Sequence, residues 1–478
     1  MSDVSTTSRL SHPSGSGPAA RAGRYASYVF WLMFLINFLN YADRFVFTAL
    51  ANVLKSELNF NDSQIGLLSS AFLLVYTIVA FPLGFVADRV SRKLIVALGV
   101  GLWSVATAMT ALIGSFWGMV GIRALVGVGE GSYYPAGTPM LAAWYPPGKR
   151  ASVLARWGVG SLVGAGVGFL VASFLAGPQW RLAFFATGAP GLVLAVLIGL
   201  TRERVRHEDD PPEEHEAIEG SFWQRVRLYL RIRTLRVILA MHALGFFALT
   251  ALTTFLVIYL GATYGTSTYG KDGLSEKMVV LIPGVLLLLG GIGGNLFGSW
   301  WANRLSRHTT GARVLTGGLG FLIAAPLVIL VLTAPTILGA IPAYAHAATS
   351  TQVSIGVAAF AILGVTVAFF LNVYNGPTSA ALQDVVPPAA RASAGGLELT
   401  LAHLLGDSYA GAAVGGLSFL LGTALGGEQI GLALLLTCPV VLVASGIVGI
   451  WGSRFYAPDV EALGSSSEAM LGIEARVD

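Results

Sequence analysis

The sequence predicts an all-α membrane protein with twelve transmembrane helices in two six-helix bundles and with both termini in the cytosol. Hydrophobic residues make up 55% of its 478 residues, charged residues only 11%, and the mean hydropathy is +0.71. Soluble domains carry roughly 25% charged residues, so this chain cannot present a water-compatible surface on all sides. Its apolar segments have the length of membrane spans, and the basic residues between them fall mostly on one side.

A membrane span needs ~20 predominantly apolar residues, and the chain contains two sets of six such segments. The first set is expected near 28–54, 63–87, 94–113, 116–142, 150–175 and 180–200. The second set is expected near 235–262, 277–302, 312–333, 353–381, 391–423 and 427–454. The predicted domains are a disordered N-terminal tail at 1–27, a first bundle at 28–200, a cytosolic linker at 201–234, a second bundle at 235–454 and a C-terminal tail at 455–478.

The basic residues set the expected orientation. With both termini inside, two of the 29 Lys and Arg residues lie within spans, and those on the outer side are Lys55, Arg181, Lys271 and Lys277. All others fall inside, which is the positive-inside pattern. No apolar signal-peptide core precedes the first span. The linker carries an acidic, proline-containing run at 207–216 and then a basic amphipathic stretch at 222–236, which we expect on the inner membrane surface.

Four ionisable residues lie inside predicted spans: Asp43 and Arg44 in the first, Arg123 and Glu130 in the fourth. Such a residue costs at least ~2.5–3.5 kcal/mol at mid-membrane, so it usually faces a cavity or a partner. Burial and a nearby arginine act oppositely on a carboxylate, which makes Asp43 and Glu130 candidates for binding and releasing a proton. Arg44 or Arg123 could hold an anionic head group. The alternative is that Asp43 with Arg44, or Glu130 with Arg123, are static pairs that hold helices together.

Two later spans also carry polar residues. His403 and Asp407 are spaced i, i+4 in span 11 and share one helix face, so they are candidates for the cavity, with packing as the alternative. In span 10, Asn372 precedes Gly376-Pro377, which predicts a kink beside a cavity or a simple packing bend.

Catalytic and metal sites are not predicted. The sequence has no Walker motif, no HExxH motif and no nucleophile elbow, and no third ligand lies near His403. The single cysteine, Cys438, can form no intrachain disulfide. No cofactor is expected, and the scattered net charge of +4 does not indicate nucleic acid.

The loop after span 2 resembles a signature of the major facilitator superfamily, G-x-x-x-D-R-x-x-R-[KR]. The matching residues are Gly84, Asp88, Arg89, Arg92 and Lys93. A weaker copy begins at Gly298, with Asn303 in place of the Asp. Span 4 resembles the R-x-x-x-G-x-G pattern of many proton-linked members, at 123–129. The resemblance implies two bundles that rock about a central site, with the loop acting as a gate on the cytosolic side.

Three further runs resemble the Spinster family: 40–44 (NYADR), 127–133 (GVGEGSY) and 403–408 (HLLGDS). This resemblance implies a monomeric, proton-coupled lipid transporter with sphingosine-1-phosphate and lysophospholipids as family substrates. Asp43, Arg44, Arg123 and Glu130 match the family's functional positions. Where many members carry Ser-Pro, this chain has Ser408-Tyr409, which leaves a bend in span 11 open.

The function expected from these observations is proton-coupled transport of an amphipathic lipid by alternating access. Protons and the lipid anion are then the partners of the protein. The residues expected to line the cavity, besides His403, Asp407 and Asn372, are Tyr41, Phe45, Tyr76, Tyr133, Phe246, Phe247 and Phe370. The alternatives are a proton-coupled symporter of a small organic anion such as a sugar acid and, more remotely, a channel or lipid scramblase. The expected location is a bacterial plasma membrane.

Overall fold

The structure is a computed structural model that describes residues 18–87, 90–202, 222–387 and 390–463. The first half contains α1 (Pro18–Ala49), α2 (Ala51–Leu58), α3 (Asp62–Ala87), α4 (Arg92–Thr110), α5 (Phe116–Ala142), α6 (Pro147–Leu175) and α7 (Trp180–Gly199). The linker contributes α8 (Phe222–Tyr229). The second half contains α9 (Arg233–Tyr264), α10 (Thr266–Tyr269), α11 (Glu276–Leu305), α12 (Ala312–Gly339), α13 (Pro342–Ala345), α14 (Thr349–Asn372), α15 (Asn375–Asp384), α16 (Arg391–Leu405), α17 (Asp407–Leu425) and α18 (Ile430–Gly452). The all-α fold is confirmed.

Eleven helical segments of the described chain are long and apolar enough to cross a membrane. The remaining expected span is α5, which has 27 residues. Its hydropathy is lowered by Arg123, Glu130 and two prolines. Its first turn is capped by Ser115, whose hydroxyl accepts from the amide of Gly118 at 3.3 Å. Because α5 packs between α3 and α4, its polar residues are enclosed by protein. The twelfth span and the cytosolic termini stay predictions.

Two expected spans are each broken into two helices. Span 10 ends as α14 and resumes as α15, because Pro377 has no amide proton to donate to the carbonyl of Val373. The break therefore lies just before the Gly-Pro pair. Span 11 is broken at Gly406, although no proline follows it. There the hydroxyl of Ser408 donates to the carbonyl of His403 at 2.8 Å. This bond satisfies a backbone carbonyl that loses its helical partner at the break.

Both tails are shorter than predicted. Helix α1 begins at Pro18, so residues 18–27 are helical and not disordered, as suits a segment rich in alanine and arginine. At the other end, residues 456–463 are helical too. Asp459 there accepts a hydrogen bond from the amide of Thr234 at 2.7 Å and so caps the first turn of α9. The acidic run at 207–216 lies outside the described residues.

The two halves meet at one end of the molecule, at the start of α3 and the end of α6. A Cβ built on Gly66 of α3 would lie 2.0 Å from the carbonyl oxygen of Gly411 in α17, so the two backbones are in direct contact. The hydroxyl of Ser173 in α6 donates to the carbonyl of Lys277 in α11 at 2.8 Å. The predicted orientation puts this end outside. We call it the outer end, and these contacts close it.

Candidate functional site

A buried ion pair joins α1 and α5 in the first half. Nη2 of Arg44 lies 2.7 Å from Oε2 of Glu130, and Nε lies 3.2 Å from the same oxygen. The Glu130 side chain is fully buried, whereas that of Arg44 is 19% exposed. Oε1 of Glu130 has no hydrogen-bond partner among the described residues. Arg44 is therefore paired but still partly accessible to a ligand. One oxygen of Glu130 is free to accept a further hydrogen bond.

Aromatic rings surround the guanidinium of Arg44. Its central carbon lies 5.2 Å from the ring centroid of Tyr41, 5.1 Å from that of Phe72 and 4.9 Å from that of Tyr76. Cations are attracted to ring faces at these distances, so the rings stabilise the charge where water is scarce. Two predicted cavity residues, Tyr41 and Tyr76, thus lie beside the charged site.

Asp43 points away from this pair. Consecutive residues of a helix project in different directions, and Asp43 faces α4, where the hydroxyl of Thr107 donates to its Oδ2. The side chain is buried, with 2% of the residue exposed. Neither of the two static pairs considered from the sequence forms. The observed pair joins Arg44 with Glu130 instead.

Arg123 is buried beside the same cluster without a salt bridge in the described chain. Its guanidinium carbon lies 4.1 Å from the ring centroid of Phe47 and 4.4 Å from that of Phe72. Its Nε has no hydrogen-bond partner among the described atoms. Phe72 thus lies between the two arginines, and one more buried cation is available to an anion that enters this region.

Two predicted cavity residues are in packed positions. Tyr133 is 2% exposed, donates to the carbonyl of Met33 at 3.0 Å and receives the indole N–H of Trp157 at 3.0 Å. Phe370 packs against Phe369 with ring centroids 5.3 Å apart. Neither lines either cavity described below. Asn372 uses its amide to donate to the carbonyl of Ala368 at 2.8 Å, beside the break between α14 and α15.

The second half holds two histidine–carboxylate pairs. Nδ1 of His403 lies 2.7 Å from Oδ2 of Asp407, as the i, i+4 spacing predicted. His242 of α9 forms the other pair with Glu398 of α16, also at 2.7 Å. The ring of Phe246 lies between the two imidazoles, with centroids 5.4 Å from His242 and 5.0 Å from His403. His242 was not among the predicted site residues, although a histidine inside an apolar span was a signal for it.

The gate motif is only partly described. Asp88 and Arg89 lie outside the described residues. Gly84 lies near the end of α3, and Arg92 begins α4. Nζ of Lys93 donates to the carbonyl of Thr201 at 2.9 Å, at the end of α7. Lys93 therefore ties two helices of its own half together.

An ion-pair network joins the two halves at the outer end. It consists of Lys55 in α2, Asp62 at the start of α3 and Glu428 before α18, and we call it the outer network. Nζ of Lys55 lies 2.6 Å from Asp62 and also contacts Glu428. Oε1 of Glu428 accepts from the amide of Asp62 at 2.8 Å. The hydroxyl of Ser418 donates to Asp62 at 2.5 Å. A chain of charge-assisted bonds therefore crosses from one half to the other.

Lys55 stays charged in this network. Burial alone would lower the pKa of its ammonium, but the charges and hydrogen bonds of Asp62 and Glu428 raise that pKa overall above its ordinary value of 10.5. A raised pKa means that the stabilisation is fully present below the ordinary value and is lost only as the pH rises above it. The neutral pH range therefore does not open the outer network through Lys55.

We expect Lys55→Met to open the outer end. The substitution leaves the buried Asp62 without its cation, which costs roughly 1–3 kcal/mol of the closed state. The measurement is thiol labelling of Ser69→Cys, which lies behind the network against Thr254, in a Cys438→Ser background. Labelling should speed up in Lys55→Met and stay unchanged in the control Lys271→Met. Equal labelling rates in all three proteins would contradict the role of the outer network.

Two cavities among the described residues differ in chemistry. The apolar cavity lies between α6, α9, α11, α12 and α14, and its empty volume of about 590 Å³ includes space that is open to the surroundings. Its lining is Phe169, Leu249, Leu252, Thr253, Leu256, Pro283, Leu286, Leu287, Val328, Val331, Leu332, Gly364, Val367, Ala368 and Leu371. The polar cavity lies between α1, α5 and α6, and its empty volume of about 460 Å³ also includes space open to the surroundings. Its lining is Asn37, Tyr41, Tyr134, Thr138, Leu154, Trp157, Gly158 and Ser161.

Several curated proteins that carry the Spinster name are similar to this chain. Protein spinster of Drosophila melanogaster is 28% identical over 400 residues, which cover 83% of this chain. The chain spans only 62% of that protein's length. Protein spinster homolog 1 of Homo sapiens is 29% identical over 399 residues, which cover 78% of this chain and 69% of that protein.

Solved structures share the fold. A bacterial homolog of the human lysosomal transporter Spinster, in an inward-facing and unoccupied conformation, aligns with a TM-score of 0.72 and 23% identity over 94% of this chain and 98% of that chain. The nucleoside transporter NupG aligns with a TM-score of 0.64 and 15% identity over 90% of this chain and 99% of that chain. The sequence model of the Major Facilitator Superfamily matches residues 33–406. The chain therefore belongs to the Major Facilitator Superfamily, as an integral multi-pass membrane transporter that resembles the Spinster proteins.

Proposed function

We propose that this protein is a proton-coupled secondary transporter of an amphipathic lipid anion, such as sphingosine-1-phosphate or a lysophospholipid. One observation carries the proposal: the helix that carries the charged site, α1, also packs against the wall of an apolar cavity. Phe169 lines the apolar cavity, and its ring centroid is 5.7 Å from that of Phe45, the residue after Arg44. A head group held at Arg44 and a hydrocarbon chain in the apolar cavity would therefore lie on either side of the same helix, α1.

The ion pair supplies a physical link between the anion and a proton. An anionic head group that binds Arg44 comes close to the charge of Glu130, which already accepts from Nε and Nη2 of the guanidinium through one oxygen. With both anions present the site carries an uncompensated negative charge in a region of low dielectric. A proton on Glu130 removes that charge. Anion and proton therefore favour each other's binding, which is the requirement for symport. Asp43 is the second carboxylate proposed to exchange protons.

The proposed transport cycle follows the architecture. Residues 28–200 and 235–454 form the two bundles that rock about the site, and the linker 201–234 connects them on the cytosolic side. The closed outer end corresponds to the inward-facing state of this cycle. The pathway lies within one chain, so a monomer suffices, and we propose the bacterial plasma membrane as its location.

A proton-coupled symporter of a small organic anion is the second candidate. The polar cavity favours it, because Asn37, Tyr41 and Tyr134 offer hydrogen-bonding groups to a small polar solute. A channel or scramblase is the more remote alternative, and it would transport at a rate independent of the proton gradient.

The test is uptake of labelled sphingosine-1-phosphate, lysophosphatidylcholine and a sugar acid into proteoliposomes, with and without a pH gradient. We expect saturable, gradient-dependent uptake of a lipid. Leu252→Trp, which fills the apolar cavity, should weaken lipid transport roughly tenfold, since about two methylenes lose their burial at ~0.8 kcal/mol each. The matched control is Leu289→Trp, at a position of α11 that is 58% exposed. Gradient-driven uptake of the sugar acid alone, unaffected by Leu252→Trp, would overturn the lipid proposal and keep the transporter.

A further inference from the structure

The linker helix α8 is attached to the second half by one of its faces. Tyr229, its last residue, is 3% exposed and packs in an apolar cluster with Val385, Val386 and Ala394. The hydroxyl oxygens of Tyr229 and Ser393 lie 2.5 Å apart, which joins α8 to the first turn of α16. The linker helix therefore has a fixed place on the protein.

This attachment lies at the end of the molecule opposite the outer end. Gly261, near the end of α9, packs on Asn52 of α2, where an added Cβ would lie 3.1 Å from the side-chain amide carbon. Arg233 begins α9 and lies about 40 Å from Gly261, at ~1.5 Å per residue. We call the end at Arg233 the inner end, because the predicted orientation puts it on the cytosolic side. Helix α8 therefore lies where a span meets the lipid head groups.

The opposite face of α8 is exposed and carries an aromatic ring and basic groups. Trp223, Arg227 and Arg231 follow at intervals of four residues, so they share one side of the helix and of the turn after it. All three are exposed, and the exposed fraction of Trp223 is 73%. Leu228, at the edge of this face, is 46% exposed. Such a combination is typical of a helix that lies in the membrane interface.

Two more exposed arginines extend this surface at the inner end. Arg233 begins α9 and Arg454 follows α18, and their guanidinium carbons lie 5.6 Å and 4.8 Å from the ring centroid of Phe455. Arg454 also lies 4.0 Å from the ring centroid of Trp451, which is 53% exposed. Tryptophan is enriched where spans meet the head groups. Basic and aromatic side chains from the linker and from the end of the chain therefore converge at the inner end.

The described carboxylates of this region do not neutralise these arginines by contact. Asp384 pairs with Arg313, and Asp459 accepts from the amide of Thr234. Glu461 is exposed, and it forms no ion pair within the described residues. The same holds for each of the four arginines on the surface. Their positive charge is therefore available to an anionic partner.

We propose that anionic phospholipids of the inner leaflet bind this inner surface, which consists of Trp223, Arg227, Arg231, Arg233 and Arg454. Guanidinium groups form strong charge-assisted hydrogen bonds with phosphate oxygens. A leaflet that contains anionic lipids also attracts basic segments next to a span, whereas a zwitterionic lipid carries its own cation. The bound lipid holds the exposed face of α8 while α16 holds the other face. The inner surface is separate from the transport site and acts whatever the substrate is.

The first experiment measures lipid binding to the purified protein by native mass spectrometry. The probes are phosphatidylglycerol and phosphatidylcholine with the same acyl chains. We expect tighter binding of phosphatidylglycerol, and a loss of about 30-fold in the double variant Arg227→Gln/Arg231→Gln, since each arginine contributes about fivefold. The matched control, Arg181→Gln/Lys271→Gln, removes the same charge from exposed positions at the predicted outer side and should bind like wild type.

Each competing explanation predicts a different result. Equal affinities for the two lipids, or an equal loss in the control variant, would leave only a general effect of charge and overturn the proposal. A loss in Arg44→Gln in place of the linker variant would assign the lipid to the transport site. Equally tight binding of glycerophosphoglycerol, the head group without acyl chains, would indicate a site for soluble phosphates. No lipid preference, with a lower melting temperature of the linker variant, would assign the arginines to the acidic run at 207–216. Each of these three results would also overturn the proposal.

The second experiment measures the depth of α8 in the membrane. A spin label is attached to Leu228→Cys in a Cys438→Ser background, and its accessibility to oxygen and to a water-soluble nickel complex is compared in nanodiscs. We expect the label at head-group level with phosphatidylglycerol and nearer to water in the Arg227→Gln/Arg231→Gln variant. Equal accessibility to the nickel complex with phosphatidylglycerol and with phosphatidylcholine would contradict the proposal. Neither experiment uses transport, so the proposed function and this inference can fail independently.

Discussion

Glu130→Gln should abolish the response of uptake to a pH gradient while leaving the protein folded. The amide oxygen of the substituted side chain can still accept from Arg44, so the helix contact between α1 and α5 survives. That amide cannot take up a proton, so the anion at Arg44 loses the partner that neutralises the site. Coupling free energies between linked ligands are ~1–3 kcal/mol, which corresponds to a loss of roughly 5–150-fold in gradient-driven uptake.

Two further carboxylate variants test whether the loss of coupling is specific to the buried carboxylates. Asp43→Asn should also remove gradient-driven uptake, because Asp43 is the other carboxylate assigned to the proton, although its contact is to Thr107 and not to Arg44. Glu57→Gln, at an exposed position of α2, should leave uptake unchanged. Monodisperse elution of all three variants checks the fold. If uptake by both Glu130→Gln and Asp43→Asn still follows the pH gradient, the proton role of these carboxylates is wrong.

Gly66→Ala should prevent the outer end from closing and thereby stop transport. The added Cβ would lie 2.0 Å from the carbonyl oxygen of Gly411 and 2.6 Å from its carbon, and a backbone atom cannot move aside as a flexible side chain can. The two halves must therefore separate at α3 and α17. Alternating access requires this end to close in every cycle, so we expect a loss of at least about tenfold in uptake, since each ~1.4 kcal/mol against the closed state gives a factor of ten.

A matched glycine on the same helix provides the control. Gly416 of α17 has nothing within 4 Å of an added Cβ, so Gly416→Ala should transport normally, whereas Gly411→Ala, 2.5 Å from the carbonyl oxygen of Gly66, should fail like Gly66→Ala. Spin labels on the outer ends of α3 and α17 should report a longer distance in both failing variants. Normal uptake by Gly66→Ala would show that the backbone contact is not needed for the cycle.

The sequence predicts the charged site in the first half well, but not its pairing. Charges inside apolar spans are costly, which is why Asp43, Arg44, Arg123 and Glu130 could be identified without a structure. Which carboxylate meets which arginine depends on helix rotation. Neighbouring residues on one helix project in different directions, so Arg44 reaches Glu130 on another helix and Asp43 reaches Thr107.

Contacts between distant parts of the chain were beyond sequence reasoning. Asp62 and Glu428 are 366 residues apart, and each looks like an ordinary loop charge until the fold brings them together at the outer end. His242 and Glu398 are 156 residues apart, and neither shows its partner by local spacing. By contrast, His403 and Asp407 are four residues apart on neighbouring turns, so their contact follows from helix geometry.

The cap that Asp459 provides to α9 has a consequence for the synthesis of the protein and its insertion into the membrane. Asp459, which accepts the hydrogen bond from the amide of Thr234, is synthesised 225 residues after it. The first turn of α9 therefore lacks this hydrogen bond while the second half is inserted into the membrane. Until the last helix emerges from the ribosome, water or lipid head groups must satisfy that amide. A chain truncated before Asp459 would therefore have a second half whose first helix lacks this cap.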